Sequence, residues 1–290
     1  MAAKADLIET ALETALSRTR GSDCPERLAE ALTRAVLPGG KRIRPRLVLA
    51  VAEACGGDDR ELALAGAVAI ELLHCASLVH DDLPCFDNAA TRRGQPSITA
   101  AYGERIAVLT GDALIVLAFE TLAALPIRHP ARCAGVLGAV ARAVGAPSGI
   151  AAGQAWECEP SIELDAYHRT KTGALFAGAA AVGGLAAGHE AAPWHRFGEI
   201  LGRAFQAADD ICDAVGDATA LGKPVGRDAA LARPSTVAER GVAGAVSRVE
   251  GLLEDALAAV PDCPGRDAFR KLVLRDAQRL LPAGLARVAA

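Results

Sequence analysis

Two short acidic runs carry the residues best suited to chemistry. Asp81, Asp82 and Asp87 follow a stretch, Leu62 to His80, that is apolar almost all round, so these carboxylates stand at the end of a buried rod and not on a solvated face. Unpaired charge is costly to remove from water and neighbouring carboxylates repel, so either their pKa values rise or a cation neutralises them. Pro84 cannot continue the helix, and the turn from Leu83 to Phe86 lets Asp87 curl back toward Asp81. The second run, Phe205 to Asp213, repeats the logic. Asp209 and Asp213 are one helical turn apart and share a face; Asp210 lies beside them and Asp217 extends the line. A single acidic pair at a helix end is as well explained by a solvated cap, but two such pairs in buried settings argue for metal. With only oxygen donors they suit a hard cation such as magnesium, which keeps waters and bridges carboxylate to phosphate oxygens. The two sets are expected to face each other across a cavity.

The positive charge that a metal-bridged anion also needs stands beside Gly and Pro breaks, at Lys41 and Arg44, Arg92 and Arg93, Lys171, and Lys223. Arginine offers a fork matched to phosphate oxygens and lysine a point charge, so these side chains with magnesium suit two diphosphates and the stabilisation of a departing one. His74 precedes Asp81 by about two helical turns on the same face of the buried stretch, where it is placed to donate to phosphate. The competing reading is a histidine satisfied inside the core.

The elements that must hold these groups are helical. The chain has 290 residues, 51% of them apolar and only 3% aromatic, and Ala, Leu and Val dominate, which favours helices over sheet. The expectation is an all-α fold in which residues 1–290 form a single domain. Helices are predicted from the N-terminal stripe of Leu7, Ala11, Leu12, Ala15 and Leu16, and over Leu62–His80, Glu104–Leu125, Ala131–Val144, Tyr167–Ala187, Trp194–Val215 and Val242–Leu257. The net charge of −4 leaves no general attraction for nucleic acid. The longest uncharged stretch, Thr172 to Gly188, is mostly Ala and Gly and too short to span a bilayer, so no integral membrane segment is expected. Eight scattered cysteines without a CxxC pair read as reduced thiols, and Met1 to Arg20 lacks a signal-peptide pattern; a cytoplasmic location is expected.

Taken in order, GGKRIRP, DDLPCFD, RRG, GDAL, GQAWE, KTGALF, FQAADDICD and LGKPVGRD, from about Gly39 to Asp228, resemble the motifs of the trans-isoprenyl diphosphate synthases. The long first motif looks most like that of bacterial and plant geranylgeranyl diphosphate synthases, and GQAWE with LGKPVGRD like those serving carotenoid or bacteriochlorophyll pathways. The resemblance implies a bundle of antiparallel helices around a central cavity, the isoprenoid synthase fold, and a homodimer. It also implies head-to-tail condensation of an allylic diphosphate with isopentenyl diphosphate, assisted by three magnesium ions. Carried over by motif, Asp81, Asp87 and Asp209 are the principal metal ligands, supported by Asp82, Asp210 and Asp213. Arg92, Lys171 and Lys223 hold the allylic diphosphate, Lys41, Arg44, His74 and Arg93 hold isopentenyl diphosphate, and Thr172 and Gln206 flank the developing cation. Two departures stand out: Asn88-Ala89-Ala90 replaces a more acidic run, and Glu157 stands where the family usually has Asp.

Product length should depend on the residues one or two turns before Asp81. Ala76 beside Ser77 is small where farnesyl-producing relatives tend to carry an aromatic ring, which favours a C20 product over a farnesyl one. The rivals are a terpene cyclase, whose second motif usually carries Asn, Ser or Thr and Glu in place of DDICD, and a silent partner subunit, which would lack an aspartate motif. A di-iron bundle wants two Glu-x-x-His motifs, and Glu71 to His74 supplies one.

Overall fold

The computed structural model describes residues 2–21, 23–37, 39–126, 128–215 and 235–277. In chain order the helices are α1 (Ala2–Ser17), α2 (Glu26–Val36), α3 (Ile43–Ala54), α4 (Arg60–Asp81) and, after a small hairpin, α5 (Ile98–Tyr102), α6 (Glu104–Ala123) and α7 (Pro130–Val144). There follow α8 (Ile150–Ala155) with a 3₁₀ turn (Trp156–Cys158), α9 (Leu164–His168) with a π turn (Arg169–Gly173), α10 (Ala174–Ala186), α11 (Ala191–Val215), α12 (Thr236–Ala258) and α13 (Arg266–Ala277).

The apolar run 62–80 becomes α4, which starts where the Asp59 carboxylate accepts from the Leu62 amide at 3.0 Å. Apolar side chains on every face force it to the centre, packed against α1, α2, α3, α6, α7 and α10. Alanine and glycine make α10 thin enough to lie between α3, α4, α7 and α11, and Ala177, Ala179, Ala180 and Val182 are wholly buried there. Three of the few aromatic rings meet where α11 meets α13: Trp194, Phe197 and Phe269 stack edge to face with centroids 5.4–5.9 Å apart.

Three details differ from the periodicity reading. The helix expected over Tyr167–Ala187 is broken into α9, a π turn and α10, because a π turn adds a residue without changing the apolar pattern on either side. Thr91–Arg92 and Gln95–Pro96 form a two-stranded antiparallel hairpin, whose turn residues Arg93 and Gly94 both have positive φ, as tight two-residue hairpins require. The helices outside the expected set include α2 and α13. The second of these buries Phe269, Val273 and Ala277, spaced four residues apart, beneath an otherwise polar sequence.

Among the described residues two helices are long and apolar enough, by length and composition, to cross a membrane: α4 and α6. Burial of 83% of its apolar window accounts for α4 as a core helix. The corresponding figure for α6 is 39%, and Val108, Leu109 and Val116 lie exposed on it.

Candidate active site

At the C-terminal end of α4 the chain does turn back. The Asp87 amide donates to the Asp81 carbonyl at 2.8 Å and the Asn88 amide to the Leu83 carbonyl at 3.0 Å, with Asn88 at positive φ. Asp81 and Asp87 thereby share one wall of a cavity of about 220 Å³, and the facing wall is Asp209 and Asp213 of α11. Between them the lining is Arg44, His74, Arg92, Arg93, Lys171, Thr172 and Gln206, with Ser77, Thr91 and Tyr167. Most of the residues that the motifs nominate therefore meet in one place.

Burial pushes the Asp81 carboxyl up, opposed by the Lys171 charge and by Gln154, whose Nε2 donates to Asp81 Oδ1 at 2.8 Å. A buried carboxylate held in this way gains by meeting a cation. Among the described residues no three His, Cys, Asp or Glu side chains form a ready chelate. Magnesium is commonly held by one or two carboxylates together with substrate phosphates. The donor set that fits it is Asp81 and Asp87 on one wall and Asp209 and Asp213 on the other.

Asp82 and Asp210, nominated as supporting residues of the metal site, do not line this cavity. Asp82 is 2% exposed and takes Arg92 in a forked pair, the Nε donating to its two oxygens at 3.1 and 3.2 Å. Burial works against the Arg92 charge, Asp82 more than offsets it, and the guanidinium is held above its ordinary pKa while still lining the cavity. Asp210 is engaged from behind the cavity lining, by α9 and α12: one oxygen accepts from Gln206 Nε2 at 2.8 Å, and the other accepts from the Thr236 amide at 2.7 Å and lies 3.6 Å from His168 Nε2.

Lys41 is likewise displaced. It is exposed and lines a separate, apolar cavity of about 550 Å³ with Phe176, Phe205 and Phe269. The cause is Arg42, which starts α3 in a left-handed conformation and buries its guanidinium against Glu9 (2.7 Å), Glu71 (2.7 Å) and the Val36 carbonyl (2.8 Å). Lys41 and Arg44 then leave the turn in different directions. Arg44 lies over the Phe176 ring at 4.9 Å, and burial lowers its pKa to about 10, so it stays cationic at neutral pH. Its Nη1 is 3.3 Å from His74 Nε2. Arginine can only donate, so Nε2 accepts and His74 carries its proton on Nδ1. That Nδ1 is buried with no partner among the described residues, and burial followed by the charges of Arg44, Arg93, Arg92 and Arg42 holds the His74 pKa well below its ordinary value.

The π turn lets Lys171 and Thr172, adjacent in sequence, both reach the cavity. Gly153 of α8 presses on this turn: a Cβ there would sit 2.3 Å from the Lys171 nitrogen. The Lys171 ammonium is held by Glu157, which also accepts from the Tyr167 hydroxyl at 2.5 Å, and the Thr172 hydroxyl donates to Gln206 Oε1. Gln154, Glu157 and Tyr167 thus belong to the site although the nominated set lacks them; the GQAWE motif is the one signal in the sequence for Gln154 and Glu157, and Tyr167 has none. Ser77 lines the cavity, but Ala76 is 1% exposed inside the core. Lys223 lies outside the described residues.

Residues 25–264 match the sequence profile of the polyprenyl synthetase family. The chain is 52% identical over 279 residues to a geranylgeranyl diphosphate synthase of Cereibacter sphaeroides, covering 96% of this chain and 97% of that one. It is 47% identical over 274 residues to that of Rhodobacter capsulatus, covering 94% and 95%. Its fold matches a geranyltransferase from Helicobacter pylori complexed with magnesium and isoprenyl diphosphate, with TM-score 0.79 and 30% identity over 94% of this chain and 97% of that one. It also matches a geranylgeranyl pyrophosphate synthetase from Pyrococcus horikoshii, with TM-score 0.80 and 29% identity over 93% and 94%.

Proposed function

The chain belongs to the polyprenyl synthetase family, and we propose that it is a geranylgeranyl diphosphate synthase, condensing isopentenyl diphosphate head to tail with an allylic diphosphate to a C20 product. The observation that carries this reading is the pair of carboxylate walls, Asp81 with Asp87 and Asp209 with Asp213, closing one cavity whose other polar lining is cationic, amide or hydroxyl.

Asp81, Asp87, Asp209 and Asp213 would hold magnesium, three ions by family resemblance, which neutralises the diphosphate and weakens the allylic C–O bond. Arg92 and Lys171 hold the allylic diphosphate; Lys171 reaches it by leaving Glu157. Arg44, Arg93 and the unpartnered Nδ1–H of His74 hold isopentenyl diphosphate. As the allylic C–O bond breaks, Thr172 and Gln206 stand beside the carbon that becomes positive, the isopentenyl double bond attacks it, and the proton released is taken by the departing diphosphate. The protein contributes alignment and a dry enclosure. The exposed apolar face of α6 supports a homodimer in which a second copy covers it, and the eight free cysteines support a cytoplasmic location. One isoprenyl-synthase domain feeding carotenoid biosynthesis is the corresponding biological reading.

The test is to incubate the purified protein with labelled isopentenyl diphosphate, magnesium and dimethylallyl, geranyl or farnesyl diphosphate, and to size the dephosphorylated products. A linear C20 chain is expected. A C15 end product would make it a farnesyl diphosphate synthase, a cyclic product a terpene cyclase, and no elongation with any primer a silent subunit.

A further inference from the structure

Asp210 bears the marks of a metal-binding aspartate in sequence, yet it is 3% exposed and directed away from the cavity. Its surroundings fix its hydrogen bonding. The Thr236 amide, at the first turn of α12, donates to Oδ2 at 2.7 Å, and His168 Nε2 lies 3.6 Å from the same oxygen. Oδ1 faces the side-chain amide of Gln206 at 2.8 Å. An ionised carboxylate only accepts hydrogen bonds. The Gln206 group that points at Asp210 must therefore be its NH₂, which leaves the carbonyl Oε1 on the side of Thr172, from whose hydroxyl it accepts.

We propose that Asp210 is a positioning residue that locks the Gln206 amide with its carbonyl oxygen, and not its NH₂, toward the reacting allylic carbon. The inference rests on the reading of Gln206 and Thr172 as the groups beside the developing cation. An amide has a negative oxygen and a positive NH₂, so its orientation decides whether it stabilises or opposes positive charge forming next to it. Nothing on the cavity side compels the favourable orientation, because a hydroxyl such as that of Thr172 can either donate or accept. The choice is made from behind, by a residue that never touches substrate.

The test exchanges the chemistry while keeping the shape. In Asp210→Asn the fixed Thr236 donor claims the single oxygen, so the new NH₂ faces Gln206 and the Gln206 amide must turn over to accept from it. The expected result is a fall in kcat of roughly 10- to 100-fold, the scale of one misdirected hydrogen-bonding dipole. The KM values for both diphosphates and the magnesium concentration for half-maximal rate stay within about threefold, since the side chains that hold the diphosphates and the metal keep their places and only the Gln206 amide turns over. In the exchanged pair, Asp210→Asn with Gln206→Glu, the amide now at position 210 donates to the carboxylate now at position 206. An oxygen again faces Thr172 and the cavity, so kcat recovers at least about tenfold over Asp210→Asn. An unchanged kcat in Asp210→Asn overturns the proposal. So does a magnesium requirement that rises in Asp210→Asn and is not relieved by the exchange, which makes Asp210 a metal-site residue after all. If Asp210→Asn does not fold, the exchanged pair decides alone, and a folded but inactive pair counts against the proposal. Wild-type protein assayed in parallel separates these outcomes from a failure of the proposed activity, which would show as no elongation before any substitution.

Discussion

The His74 ring shows how one hydrogen bond sets a binding group. Arg44 at 3.3 Å obliges Nε2 to accept, and burial with the surrounding guanidinium groups keeps the ring neutral. Its folded pKa lies below the unfolded value of about 6.5, so the unfolded chain takes up the proton first as pH falls. The contribution of His74 to stability is therefore complete above about pH 6.5 and is lost as pH drops toward the folded pKa. Urea unfolding of the ligand-free protein between about pH 7.5 and 5.5, the range around that value, should show a shallower loss in His74→Gln than in wild type; equal slopes would contradict the neutral assignment. At this scale the sequence is informative where spacing alone decides. Asp209 and Asp213, one turn apart on α11, both reach the cavity, as does His74, about two turns before Asp81. It is silent about the separate surroundings of Asp82 and Asp210, because adjacency in sequence cannot say which of two neighbouring carboxylates is claimed by a guanidinium or a backbone amide elsewhere in the fold.

Among the elements, α6 has the clearest uncovered face. Val108 (38% exposed), Leu109 (51%) and Val116 (56%) put branched apolar groups on one helix whose other side packs on α4. A row of such residues facing water is costly at roughly 25 cal/mol for each Å². If a second copy covers this face, Leu109→Asp with Val116→Asp should convert a dimer into a monomer in sedimentation equilibrium while leaving helix content unchanged. A wild type that sediments as a monomer, or a doubly substituted chain that still dimerises, would rule out this interface. Long helices with plain apolar stripes, such as α7 and α11, are readable from periodicity, and α4 from being apolar all round. The hairpin at Arg92–Gln95 and the π turn at Arg169–Gly173 are not, since both depend on backbone geometry that leaves no periodic trace. The same limit explains Lys41: its motif is recognisable, but the left-handed Arg42 that turns it away is fixed by Glu9 and Glu71, far along the chain.

In the molecule as a whole, a helical frame brings distant parts of the chain to one cavity. Helix α4 delivers Asp81, α11 delivers Asp209 and Asp213, and α8, through Gly153, seats the π turn that presents Lys171 and Thr172. On the proposed reading the two carboxylate walls act as one unit on a single diphosphate. That unity is tested most directly by steady-state elongation of geranyl diphosphate at saturating magnesium in Asp81→Asn, Asp209→Asn and the double variant. If the walls act together, each single change lowers kcat by at least roughly 100-fold and the double variant falls little further, as with other residues that work as a unit. If either single variant turns over at the wild-type rate, or if the two losses simply multiply, the walls act independently and the shared-diphosphate mechanism is wrong.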